Sequence, residues 1–133
     1  MEFLGKTYIR VRDENYKEFL ESFGLSDERV KSFISLNQTQ SLQKDGDGYV
    51  LIYDKPDGQT VIKFKNGVEF EEEVNPNSIS KTTLTLDGNV LTHIQNLGTV
   101  IINIKREFSA DQLVMTITTN LWDGTARRYF KRM

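Results

Sequence analysis

The sequence predicts an all-β protein, a ten-stranded up-and-down antiparallel barrel with a two-helix lid between its first and second strands. Two observations carry this. From Gln38 onward, turn signatures recur without interruption: Asp45-Gly46-Asp47-Gly48, Pro56-Asp57-Gly58, Asn66-Gly67, Asn75-Pro76-Asn77, Asp87-Gly88-Asn89, Asn96-Leu97-Gly98, Ala110-Asp111 and Asp123-Gly124. Glycine and asparagine accept the positive φ of tight hairpin turns, so the segments between them read as consecutive hairpin strands. Before Gln38 the period changes: Tyr16, Phe19, Leu20 and Phe23 stand at i, i+3, i+4 and i+7, the apolar stripe of a helix.

Taken in order, Leu4–Arg12 carries Tyr8, Ile9 and Val11 and reads as the first strand. Asn15 or Asp13 is placed to cap the first helix, and Gly24 ends it. Ser26 caps a second helix with Asp27 and Glu28 in its first turn and Val30, Phe33 and Ile34 on its apolar side. Strands follow at Tyr49–Tyr53, Gln59–Lys65, Val68–Glu73, Ser78–Leu86, Val90–Gln95 and Thr99–Glu107. The last hairpin is Gln112–Asn120 and Gly124–Arg132. A meander of about ten strands must hide its edges, and a barrel of that size is too wide for side chains to fill, so a cavity is expected. The helices then cap one open end.

Bulk properties remove several function classes. At 133 residues the chain, 1–133, is expected to form one domain. It has no cysteine, and its net charge of −2 is dispersed, so neither a thiolate metal site nor a nucleic-acid surface is indicated. No signal-like or membrane-length apolar run is present, so a cytoplasmic location is expected. No phosphate loop, dinucleotide fingerprint or zinc signature occurs, and no cofactor or metal is expected. His93, the single histidine, has no ligand-spaced partner and reads as a satisfied strand residue.

The chemistry-bearing residues lie near the end of the chain. Val100, Ile102, Ile104 and Arg106 share one strand face. Leu113, Met115 and Ile117 share another. In the last strand Arg127 shares a face with Tyr129, and Arg128 shares the opposite face with Phe130. Alternation alone leaves open which of these two faces points inward. A buried guanidinium needs an anionic partner, and a guanidinium beside a hydroxyl suits a carboxylate.

These features resemble the intracellular lipid-binding proteins, the family of fatty-acid-binding and cellular retinoid-binding proteins. The resemblance rests on Gly5-Lys6-Thr7-Tyr8, Glu14-Asn15-Tyr16-Lys17-Glu18-Phe19-Leu20, Asn66-Gly67-Val68-Glu69-Phe70, Lys105-Arg106-Glu107-Phe108 and Arg127-Arg128-Tyr129, and it spans essentially the whole chain. It implies a β-clam with a helical portal in which Arg106, Arg127 and Tyr129 point inward and hold a ligand carboxylate. It also implies that Tyr16, Phe33, Tyr53, Met115 and Ile117 line the cavity or portal with Ile104, and that Gln40, Thr60 and Gln95 add polar groups. The sequence departs from the family pattern at Arg10, at Lys17, at the portal turn Lys55–Gly58, which lacks a phenylalanine, and in the longer last hairpin.

The function expected is non-covalent binding and transport of a long-chain fatty acid by a monomer, with transient membrane contact through the helical lid. Retinoic acid or a bile-acid-like sterol is the alternative ligand class. A small isomerase or hydratase using His93 or Glu72 is the competing reading, disfavoured because no base–nucleophile pairing is visible.

Overall fold

The computed structural model describes residues 2–75 and 78–133. Along the chain these form β1 (Thr7–Glu14), α1 (Tyr16–Glu21), α2 (Asp27–Ser35), β2 (Thr39–Asp45), β3 (Gly48–Lys55) and β4 (Gly58–Phe64). There follow β5 (Phe70–Asn75), β6 (Ser78–Asp87), β7 (Val90–Asn96), β8 (Ile101–Phe108), β9 (Gln112–Thr119) and β10 (Trp122–Arg132). The turn expected at Asn75-Pro76-Asn77 falls on residues 76 and 77, outside the described residues.

All the strands join one antiparallel sheet in the order β4-β3-β2-β1-β10-β9-β8-β7-β6-β5. Only the β1–β10 pair joins strands distant in sequence. The two edges, β4 and β5, face each other across a cleft bounded by Thr60–Lys63 and Phe70–Glu73, so the barrel is closed except for this seam. Asn66, in the turn between them, binds both backbone groups of Leu86: its Nδ2 donates to the carbonyl at 3.0 Å and its Oδ1 accepts from the amide at 2.7 Å. The seam is therefore held at one end without pairing its edges.

The helices sit between β1 and β2, as expected. Ser26 caps α2, its Oγ accepting from the Arg29 amide at 3.2 Å. The expected cap of α1 does not form. Asn15 adopts φ 57 with no side-chain cap, and its Nδ2 donates instead to the Thr125 carbonyl at 3.1 Å on β10. Asp13 is engaged by Arg128 on β10. The first strand also begins later than expected, because residues before it turn and bury Phe3.

Two irregularities set which residues face inward. In β1 the register slips between Arg10 and Arg12 against β10: Arg10 opposes Phe130, Arg12 opposes Tyr129 and Asp13 opposes Arg128. Val11 is the extra residue of a bulge, and a bulge re-aims the side chains beyond it. An unbulged strand would turn Arg12 inward after Tyr8 and Arg10. The bulge turns Asp13 inward instead. In β10 the register slips between Trp122 and Ala126, which absorbs the longer last hairpin. Beyond it Ala126, Arg128 and Phe130 are buried, while Arg127 is exposed.

The interior is filled along only part of its length. Phe3 stacks on Phe108 with ring centroids 4.9 Å apart, Tyr8 meets Phe108 edge-on at 5.7 Å, and Leu42, Leu51, Leu84, Leu91 and Leu113 are fully buried around them. Along β8 the inner positions run Ile102, Ile104, Arg106, Phe108; the first three line a cavity and the last belongs to this packed end. Arg106 thus stands at the floor of the open part.

Close backbone approach is needed at Gly48, where a Cβ would lie 2.5 Å from the Phe64 carbonyl oxygen on β4. Gly48→Ala should lower stability by about 1–3 kcal/mol through this overlap. Urea unfolding that matches the parent within error would show that β3 and β4 separate at no cost.

Candidate functional site

The cavity holds about 430 Å³. Its roof is helical: Tyr16, Phe19 and Leu20 come from α1 and Phe33 from α2. Its wall is largely apolar, with Ile104, Met115 and Ile117 on β8 and β9 and Tyr53 on β3. Polar side chains interrupt it at Gln38, Lys55, Gln95, Arg106 and Arg128.

Arg106 is 1% exposed. Its Nε donates to Gln40 Oε1 at 2.8 Å, and its Nη1 lies 3.1 Å from His93 Nδ1. A guanidinium only donates, so Nδ1 must accept, which fixes His93 as the neutral tautomer protonated at Nε2. That Nε2 faces Glu72 Oε1 at 3.3 Å, and the same carboxylate oxygen accepts from Thr82 Oγ1 at 2.8 Å and Gln95 Nε2 at 3.2 Å. The result is a buried relay from Arg106 through His93 to Glu72. Gln40 is oriented in turn by donating to Gln38 Oε1 at 2.9 Å.

The relay sets the proton affinities. Burial alone would raise Glu72, but hydrogen bonds from His93, Thr82 and Gln95 hold it below the ordinary glutamate value. Burial pushes His93 down and Arg106 pushes the same way, against the hydrogen bond to Glu72. Burial brings Arg106 down to about 10, with Tyr53 and Glu72 opposing, and pushes Tyr53 up to about 12.

Arg128, also 1% exposed, is held differently. Its Nε donates to Asp13 Oδ1 at 2.8 Å, and its guanidinium lies 3.9 Å from the Tyr16 ring centroid. Arg10 Nη1 stands 3.6 Å from the other Asp13 oxygen. Arg128 Nη2 is buried and has no hydrogen-bond partner among the described residues, the one such side-chain atom there. An unpartnered buried donor is costly, and this one belongs to a residue that lines the cavity.

Most of the residues expected from the sequence meet at this cavity. Tyr16, Phe33, Tyr53, Gln95, Ile104, Arg106, Met115 and Ile117 all line it. Gln40 stands behind the wall, orienting Arg106. Thr60 borders the β4–β5 cleft rather than the cavity. Among the described residues no group of His, Asp and Glu could hold a metal, and no helix is long and apolar enough to cross a membrane.

No family model matches the chain. It is 40% identical over 131 residues to fatty acid-binding protein 2 of Manduca sexta, an alignment covering 98% of this chain and 99% of that one. The crystal structure of the fatty-acid-binding protein isolated from Manduca sexta superposes with a TM-score of 0.87 at 40% identity, covering 97% of this chain and 98% of the other. A fatty acid-binding protein from Drosophila melanogaster brain gives the same TM-score at 34% identity, with 97% and 98% covered. The chain belongs to the fatty-acid-binding protein family.

As a fatty-acid-binding protein it is a binding protein and not an enzyme. Glu72 and His93 do meet, a pairing that their spacing in the sequence hides. Neither lines the cavity; both His93 ring nitrogens and Glu72 Oε1 are engaged with each other and their neighbours. The expectation that Arg127 and Tyr129 point inward is corrected. Arg127 is exposed on the outer face. Tyr129 is also turned outward: its hydroxyl donates to Glu14, and Arg12 lies 3.8 Å over its ring. The inward pair is Arg128 and Phe130, one residue along, so the expected phenol is replaced by a phenyl ring that has no hydroxyl to offer.

The relay predicts how the protein responds to acid. Glu72 and His93 each bind protons less readily folded than unfolded, so their contribution is complete above about pH 6.5 and declines as pH falls. Histidine contributes the first part of the loss, and Glu72 the part below about pH 4.3. Urea midpoints should decrease from pH 7 to pH 5, and His93→Gln should flatten that decrease. Equal parent midpoints at both values would rule out the relay as described.

Proposed function

We propose that this protein binds a long-chain fatty acid, or a similar acidic lipid, non-covalently and reversibly, with the carboxylate at Arg128 and the tail against Ile104, Met115 and Ile117. The observation that carries the reading is the buried Arg128 Nη2, which has no hydrogen-bond partner among the described residues. Arg10 and Arg128 share the single carboxylate of Asp13, so this corner of the site has one positive charge in excess. A ligand carboxylate supplies both the missing acceptor and the missing charge. The relatives' names point to the same ligand class.

The tail would provide most of the affinity, at about 0.8 kcal/mol for each methylene removed from water. A cavity of about 430 Å³ falls within the usual range of about 300–1,000 Å³ for small-molecule sites. Access runs past the aromatic roof, so the helices act as a lid that moves with binding and release. We assign the protein to the cytoplasm as a monomeric carrier, with Lys17, Arg29 and Lys31 on the helices available for transient contact with anionic membranes.

Arg128→Gln should weaken oleate binding roughly 10- to 150-fold, the range of a charge-assisted hydrogen bond. The neighbouring Arg127→Gln should change it by less than about twofold, as expected for an exposed charge. Calorimetric titration of the two variants decides the matter, and equal losses at both positions would remove Arg128 from its role.

A further inference from the structure

The two buried arginines are not equivalent. Arg128, Met115 and Arg106 form a row across β10, β9 and β8, because Arg128 opposes Met115 and Met115 opposes Arg106. Two strand spacings separate the arginine backbones by about 10 Å. Each side chain has its own protein partners. Arg128 is held by Asp13 on β1, and Arg106 by His93 on β7 as well as by Gln40 on β2.

Their charges are also treated differently. The Arg128 corner keeps its excess positive charge. At Arg106 the Glu72 carboxylate supplies an equal and opposite charge through neutral His93, and both are fixed by hydrogen bonds. Arg106 has five N–H donors, of which two have protein acceptors among the described residues. Tyr53, whose ring lies 5.6 Å from the guanidinium, has a hydroxyl with no protein partner among the described residues. This station offers donors without net charge. Such a site suits a neutral oxygen better than a second anion, since an anion there would face Glu72 uncompensated.

We propose that Glu72 is a specificity-determining residue: by balancing Arg106 it reserves that arginine for a neutral oxygen on the lipid chain, so that mono-oxygenated fatty acids bearing a hydroxyl or keto group are preferred ligands. This rests on the assignment of the carboxylate to Arg128. An all-methylene tail lays hydrocarbon against the Arg106 and Tyr53 donors. A chain with one oxygen at the matching depth accepts from them while its carboxylate stays at Arg128.

The test is calorimetric titration of stearate against a series of hydroxystearates with the hydroxyl at successive positions. One position, or a narrow group of positions, should bind roughly tenfold more tightly than stearate, as one added hydrogen bond to a charged donor allows. Glu72→Gln should shrink that advantage, because Arg106 is then no longer balanced and ceases to favour a neutral oxygen over an anion. Stearate that binds while every hydroxy acid binds equally or more weakly overturns the proposal and leaves the fatty-acid reading standing. Failure of stearate itself to bind defeats both. The positional series uses the parent protein, so the proposal is decided even if the variant does not fold.

Discussion

Two guanidinium groups lie inside an apolar barrel, and the arrangement of the site follows from how each is compensated. A buried charge without a partner is costly by several kcal/mol, so a fold that contains two must supply counter-charges at the right places. It does so in unlike ways. One counter-charge comes from a local irregularity in the facing strand, the other from a carboxylate one residue removed through a histidine. The first leaves a donor free and the second leaves none of the excess charge.

The irregularity in β1 does more than fit an extra residue. Without the bulge at Val11, the side chain opposite Arg128 would be Arg12, and two positive charges would share the interior. With it, Asp13 is turned inward while Arg12 is turned outward, where it covers Tyr129 and meets Glu14. One backbone slip therefore sorts three charged residues between solvent and core. Asp13 then cannot cap α1, which starts from Asn15 in the left-handed region instead. Local helix chemistry yields here to the demand of a buried charge.

Much of the architecture was legible because it depends on local rules. Turn residues mark the hairpins, the 3.6-residue stripe marks the first helix, and the ordering of strands follows from short connections. Alternation grouped Met115 with Ile117 and Ile104 with Arg106 on single faces, and the family resemblance implied that these faces point inward. The expected carboxylate grip failed at Arg127 and Tyr129, and the reason is parity. Arg127-Arg128-Tyr129-Phe130 contains an arginine and an aromatic on both faces, so a motif match could settle on either. A clue lay in the neighbours: Ala126 and Phe130 flank Arg128 on its face, while Lys131 continues the face of Arg127 and Tyr129. The face with more apolar side chains is the buried one. The Glu72–His93–Arg106 relay was illegible for a different reason, since it joins three strands and no spacing encodes it.

The geometry also connects the Arg128 corner of the cavity to its roof. Asp13 lies near the end of β1, with Asn15 between β1 and α1, and Tyr16, the first residue of α1, lies against the Arg128 guanidinium. An anion that draws Arg128 from Asp13 weakens a contact that fixes the approach to α1, and alters the surface on which Tyr16 rests. Under the proposed binding at Arg128, reciprocity of binding free energies requires that whatever loosens the helices change the affinity there by the same amount. Arg106 stands apart from this linkage, because its ties run to β2 and β7 and reach neither helix. The two guanidinium groups thus differ in their structural ties as well as in charge: Arg128 lies against the first residue of α1, and Arg106 is tied to strands alone.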